Sequence, residues 1–153
     1  LISPDYSPEH FTQSMHQLKT LINTHDITHI IGTSLGGYYA LLLSQCFDIP
    51  TLAINPCFEP VSVLHKYIQQ PAINYRDNTE IEFTDSMLAQ FIALDKAQRA
   101  DILIGLNDDV IPSEYQQAYC QNRDWQYRTN QWAHRVESVE ALKAWTLAPW
   151  ALA

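Results

Sequence analysis

Glycine is scarce in this chain. There are four in 153 residues, and three of them, Gly32, Gly36 and Gly37, fall within six positions. Basic charge is scarce too: nine Lys and Arg stand against 17 Asp and Glu, a net charge of −8 with His neutral. No run of Lys or Arg occurs. Nucleic acid and acidic membrane surfaces are gripped through basic patches, so neither is the expected partner. Cysteine is limited to Cys46, Cys57 and Cys120, an odd number at a spacing that fits no metal motif. That argues for free thiols in a reducing compartment rather than a disulfide framework, with a nucleophilic cysteine as the remote alternative. Long hydrophobic runs are missing. The longest nearly apolar stretch, residues 38–43, is much too short to span a bilayer, and no leader pattern precedes it. These absences predict a soluble, cytoplasmic protein.

What is present reads as one globular domain over residues 1–153. Hydrophobic residues make up 46% and charged residues 17%, enough for a sizeable core. Residues 1–6 read as the end of a strand leading into a loop. Ser7, Pro8 and Glu9 supply an N-cap, a first-turn proline and a favourable charge for a helix. Phe11, Met15, Leu18 and Ile22 give that helix one apolar face. A β-branched strand is predicted at 27–32, then a helix apolar nearly all round from Leu35, and a buried strand at 49–56. Residues 56–84 are irregular, and Asp85 is expected to cap the helix that follows. Further strands are predicted at 102–105 and 125–129, with a short helix starting at Pro112 or Ser113 between them. A closing helix, interrupted near Pro149, covers 136–150. Strands alternating with helices predict an α/β fold with a parallel sheet covered on both faces. Ligands in such folds sit at the carboxyl ends of the strands. The places to inspect are therefore 32–36, 55–59, 105–112 and 130–134.

The glycine cluster has a chemical reading. Gly32-Thr33-Ser34-Leu35-Gly36 is G-x-S-x-G between a predicted strand and a predicted helix, the context of a nucleophile elbow. So sharp a turn leaves no room for a Cβ two positions either side of the serine. It lifts Ser34 Oγ above the sheet and aims the Leu35 backbone N–H at a forming oxyanion. The plain alternative is a tight turn whose glycines serve packing alone.

A serine hydroxyl needs a base. Only His65 and His134 follow Ser34. His65 falls on a predicted helix in the irregular segment and reads as a solvated surface residue. His134 falls in the loop after the last strand, where this topology carries its base. For the acid that orients it, Asp108 in the loop after Gly105 is the first choice, with Asp109 and Glu59 as rivals. His10, His16, His25 and His29 precede the serine and show no metal-ligand spacing.

The segments GTSLGGYYA (32–40), INP (54–56), NDDVIP (107–112) and QWAHRV (131–136) resemble the YqiA/YcfP-like branch of the α/β-hydrolase superfamily, small bacterial esterases. The resemblance implies a three-layer α/β/α sandwich with a mostly parallel sheet. It implies ester or thioester hydrolysis without a cofactor, with Ser34 as nucleophile, Asp108 as acid and His134 as base. Residues 56–98 would form a small cap, in which Phe58, Tyr67 and Tyr75 either line an acyl pocket or simply pack; Phe83 and Phe91 read as core. The sequence departs from the family in one respect. A strand and His-Gly segment that carry a second oxyanion donor are lacking, and the expectation is that residues before Leu1 supply them. The rival functions are a non-catalytic binding protein of the same fold and an acyltransferase using the same triad.

Overall fold

The computed structural model describes residues 1–74, 76–96, 99–138, 140 and 143. Its centre is a four-stranded parallel sheet in the order β1-β2-β5-β6, built from β1 (Ile30–Thr33), β2 (Thr51–Ile54), β5 (Ala100–Gly105) and β6 (Arg128–Asn130). Gly32 stands beside Ala53, and Ala53 beside Ile102. All four strands therefore end at the same edge, and the loops that begin at Ser34, Asn55, Leu106 and Gln131 emerge side by side.

Alternation along the strands sorts the core into two faces. Ala53, Ile102 and Ile104 point into the larger cluster, with side chains of α1 (Phe11–Thr24), α2 (Leu35–Phe47), α4 (Asp85–Leu88) and α5 (Ser113–Asn122). Leu52, Ile54 and Leu103 face the other way and meet Trp132 and Val136. Helix α2 is buried on several sides, as its all-round apolarity predicts: every residue from Gly37 to Ser44 is buried. Its two tyrosines keep their hydroxyls satisfied. Tyr38 Oη donates to the Ile92 carbonyl at 2.7 Å and accepts from Ile92 N at 3.0 Å, while Tyr39 Oη donates to the Pro8 carbonyl at 2.7 Å.

Several sequence-based boundaries move. Residues 1–6 form no strand. They line a cleft of about 990 Å³ together with residues of β1 and make no ladder with it. Helix α1 starts at Phe11 rather than Pro8, because Ser7 to His10 closes a turn in which His10 N donates to the Ser7 carbonyl at 3.0 Å. The cap of α4 is Thr84, whose hydroxyl accepts from Met87 N; Asp85 is the first helical residue. The irregular segment contains α3 (Pro60–Leu64), a 3₁₀ turn at His65–Ile68 and a small antiparallel pair, β3 (Ala72–Ile73) with β4 (Glu80–Ile81). Tyr75 and most of the predicted closing helix lie outside the described residues. Among the described residues, no helix is long and apolar enough to cross a membrane.

Candidate active site

Ser34 occupies the single position between β1 and α2. Its backbone sits at φ 53°, ψ −125°, a positive-φ conformation outside the αL region that L residues seldom enter. The turn is locked from both sides. Ser34 N donates to the Ile54 carbonyl at 3.0 Å, and the Ser34 carbonyl accepts from Gly37 N and from Cys57 N, at 3.0 and 2.9 Å. Gly32 is indispensable to this geometry. A Cβ there would overlap the Gly36 carbonyl oxygen and stand 2.6 Å from the Gly36 carbonyl carbon. The second glycine of the motif behaves differently from expectation. A Cβ on Gly36 would meet only Tyr6 Oη, at 3.5 Å, an ordinary contact. The tight neighbour is Gly37, where a Cβ would press on Pro56 at 3.0 Å. The steric demand within the motif is therefore on Gly32, which must make room for the Gly36 backbone. Leu35 is the first residue of α2, so its N–H has no acceptor within the helix.

The Asp108 carboxylate and the His134 imidazole meet. His134 Nδ1 lies 2.9 Å from both carboxylate oxygens of Asp108. The Asp108 side chain is fully shielded from solvent, and that of His134 is 14% exposed. A buried carboxylate must have its lone pairs filled, and three further donors do this. Val110 N and Ile111 N each donate to Oδ1 at 2.9 Å, and Gln116 Nε2 donates to Oδ2 at 2.9 Å. The same Gln116 amide also reaches the Ile111 carbonyl at 2.8 Å. With Nδ1 committed to the carboxylate, Nε2 is the nitrogen left to exchange a proton. The rivals are elsewhere or otherwise engaged. Asp109 is exposed on the rim of the pocket. Glu59 accepts from Tyr115 Oη and pairs with Arg123 at 4.0 Å. His65 is exposed on the 3₁₀ turn.

Ser34, Leu35 and His134 line one pocket of about 680 Å³, within the usual range for small-molecule sites. Among the described residues no hydrogen bond joins Ser34 Oγ to the imidazole, an arrangement that catalytic groups often hold until substrate tightens it. The walls are mostly apolar: Val63, Leu64, Tyr67, Ile73, Ile81 and Phe83. Tyr67 therefore lines the pocket. Phe58 does not; it is buried against Tyr119, the two rings stacked with centroids 4.3 Å apart. Cys57 also borders the pocket, but burial, reinforced by the negative charge of Glu59, pushes its thiol up to about 12. It stays a protonated, poor nucleophile near neutral pH, which leaves the serine as the candidate.

Two residues escaped the sequence reading. Gln116 is fully buried behind Asp108, and Asn55 is fully buried where the loops after β2, β5 and β6 converge. Asn55 takes φ 44°, which asparagine tolerates better than most residues, although the proline after it favours extended backbone. Nothing in the sequence said what its amide would hold.

The profile of the Uncharacterised protein family (UPF0227) matches residues 2–144. Among solved structures, a protein from Agrobacterium vitis S4 superimposes with a TM-score of 0.65 at 16% identity, covering 92% of this chain and 67% of its own. A serine hydrolase involved in carbazole degradation, the CarC enzyme, gives 0.61 at 18% identity, with 99% and 75% covered. The esterase domain of a Rhodothermus marinus protein gives 0.59 at 15% identity, with 95% and 68% covered. The fold is thus that of the α/β hydrolases, as the sequence resemblance implied.

Proposed function

The chain belongs to the family UPF0227, and from that premise we propose that it is a serine hydrolase cleaving carboxylic esters or thioesters of small molecules through an acyl-enzyme on Ser34. The observation that carries the reading is the strained Ser34 turn opening into the same pocket as a histidine backed by a buried carboxylate. In this reading Ser34 Oγ attacks the carbonyl carbon while His134 Nε2 takes its proton. Asp108 holds the Nδ1–H tautomer and stabilises the imidazolium. The Leu35 N–H donates to the tetrahedral oxyanion. Collapse expels the alcohol or thiol, which leaves with the proton from His134. Water, deprotonated by the same nitrogen, then attacks the acyl carbon and regenerates Ser34. The catalytic steps need no cofactor. Residues 56–98 act as the cap: Val63, Leu64, Tyr67, Ile73, Ile81 and Phe83 come from this segment and give the acyl group an apolar bed.

The test is covalent labelling with a fluorophosphonate probe, followed by peptide mass spectrometry and hydrolysis of p-nitrophenyl esters. The expected result is one adduct on Ser34, lost together with hydrolysis in Ser34→Ala. A folded protein that neither labels nor hydrolyses would sink the proposal and leave a binding module on a hydrolase fold.

A further inference from the structure

Resting on that reading, we infer that Asn55 is a positioning residue that sets the place of His134 by clamping the backbone of its loop. The loop from Gln131 to His134 belongs to no helix or strand, so its position has to come from contacts made by other parts of the chain. Asn55 supplies two of them at the point that matters. Its Nδ2 donates to the Ala133 carbonyl at 3.0 Å and to the carbonyl of His134 itself at 2.9 Å. Its Oδ1 accepts from Gly105 N at 2.7 Å. Both amide hydrogens are used, and the residue has no exposure to solvent, so water cannot substitute for any of the three.

Two further features fit this assignment. Asn55 is itself tied to the nucleophile turn. Its chain neighbour Ile54 accepts from Ser34 N, and Cys57 N, two residues on, donates to the Ser34 carbonyl. One short segment, residues 54–57, therefore holds the backbone of Ser34 on one side and of His134 on the other. The second feature is Gly105, the only glycine outside the cluster at 32–37. A Cβ there would overlap the Trp132 carbonyl oxygen and stand 2.8 Å from that of Ala133. Glycine thus lets the loop lie directly on the end of β5, within reach of the Asn55 amide. A clamp on backbone rather than on the imidazole leaves Nδ1 to Asp108 and Nε2 to the substrate.

Asn55→Gly removes the amide and keeps a residue suited to φ 44°. Asn55→Asp keeps an acceptor for Gly105 N but turns an oxygen toward the two carbonyls. Each variant is measured against wild type on a p-nitrophenyl ester, with active sites counted by saturating fluorophosphonate. A misplacement of about 1 Å can lower catalysis about 10²-fold. The expected result is a kcat per labelled site lower by about 10- to 100-fold in both variants, with KM within about twofold and the labelled fraction undiminished. In a His134→Ala background Asn55→Gly should add nothing further, because the effect passes through that residue. A variant that loses labelled sites while each remaining site turns over normally would assign Asn55 to the fold alone and overturn the inference. So would loss of the folded state in both variants, or an effect that persists without His134. Failure of wild type to label at Ser34 would instead overturn the hydrolase reading itself.

Discussion

Two margins of one sheet contrast. At the carboxyl ends of β2, β5 and β6, the polar side chains behind the pocket are buried and bonded. Asn55 makes three hydrogen bonds, and the Asp108 carboxylate is met by two backbone N–H groups, an amide and an imidazole. Along the outer side of β1 the chain has no ladder partner among the described residues. There Ile31 is 47% exposed beside a cleft of about 990 Å³. That cleft is larger than the 680 Å³ pocket containing Ser34, yet the ion pair on its lining, Arg76 with Asp5, is largely exposed to solvent. Volume alone is a poor guide to chemistry. The better guide is where buried polar side chains converge on an acid and an imidazole, since their hydrogen bonds fix those two groups in place.

The contrast can be broken most sharply at Asp108. Asp108→Asn can keep an oxygen toward Val110 N and Ile111 N but turns an NH₂ toward His134, forcing the wrong tautomer. On the proposed mechanism kcat should drop by about 10⁴, with the far-ultraviolet circular dichroism unchanged. The glycines of the elbow come next. Gly32→Ala drives a methyl into backbone that cannot retreat and should lower stability by about 3 kcal/mol or more. Gly36→Ala meets only the end of the Tyr6 side chain inside a helix and should be neutral or stabilising by up to about 1 kcal/mol. Urea unfolding separates the two. In the sheet, Leu103→Ala opens a cavity at a residue with no exposure and should destabilise by about 2–5 kcal/mol. Ile31→Thr on the open edge should change stability by about 0.5 kcal/mol or less. The smallest effect concerns the thiols. Burial pushes Cys57 and Cys120 up to about 12, so raising the pH from about 7 to 9 leaves both protonated. Ellman's reagent should modify exposed Cys46 promptly and the other two only on unfolding.

Much of this was legible in the sequence because the signals were local. The elbow could be read because its constraints lie within one turn: a strand, a serine and a glycine that must lack a Cβ. Asp108 and His134 could be read because strand endings put their loops on one edge. The placement of residues 1–6 could not, because a pair such as Leu1-Ile2 reads as a strand end whether or not a neighbour exists to pair with it. The start of α1 was misjudged for a related reason. Ser7-Pro8-Glu9 carries good cap chemistry, but a turn closing on His10 satisfies those groups first. Asn55 and Gln116 stayed hidden because their partners lie 50 or more and 8 or fewer positions away respectively, set by packing rather than by any pattern. The role of Phe58 was equally beyond reach: an aromatic after a strand can face a pocket or a neighbouring ring, and only the fold decides.

The backbone of Ser34, at φ 53° and ψ −125°, sets activity and durability against each other. That conformation is comfortable for glycine, being the mirror image of an ordinary extended one, and strained for serine by about 1–3 kcal/mol. The strain outweighs the greater unfolded-state freedom of glycine, about 0.5–1 kcal/mol. Ser34→Gly should therefore melt at a higher temperature than the native protein while being unable to form an acyl-enzyme. On the proposed mechanism, selection for heat resistance alone would tend to discard the hydroxyl that forms the acyl-enzyme.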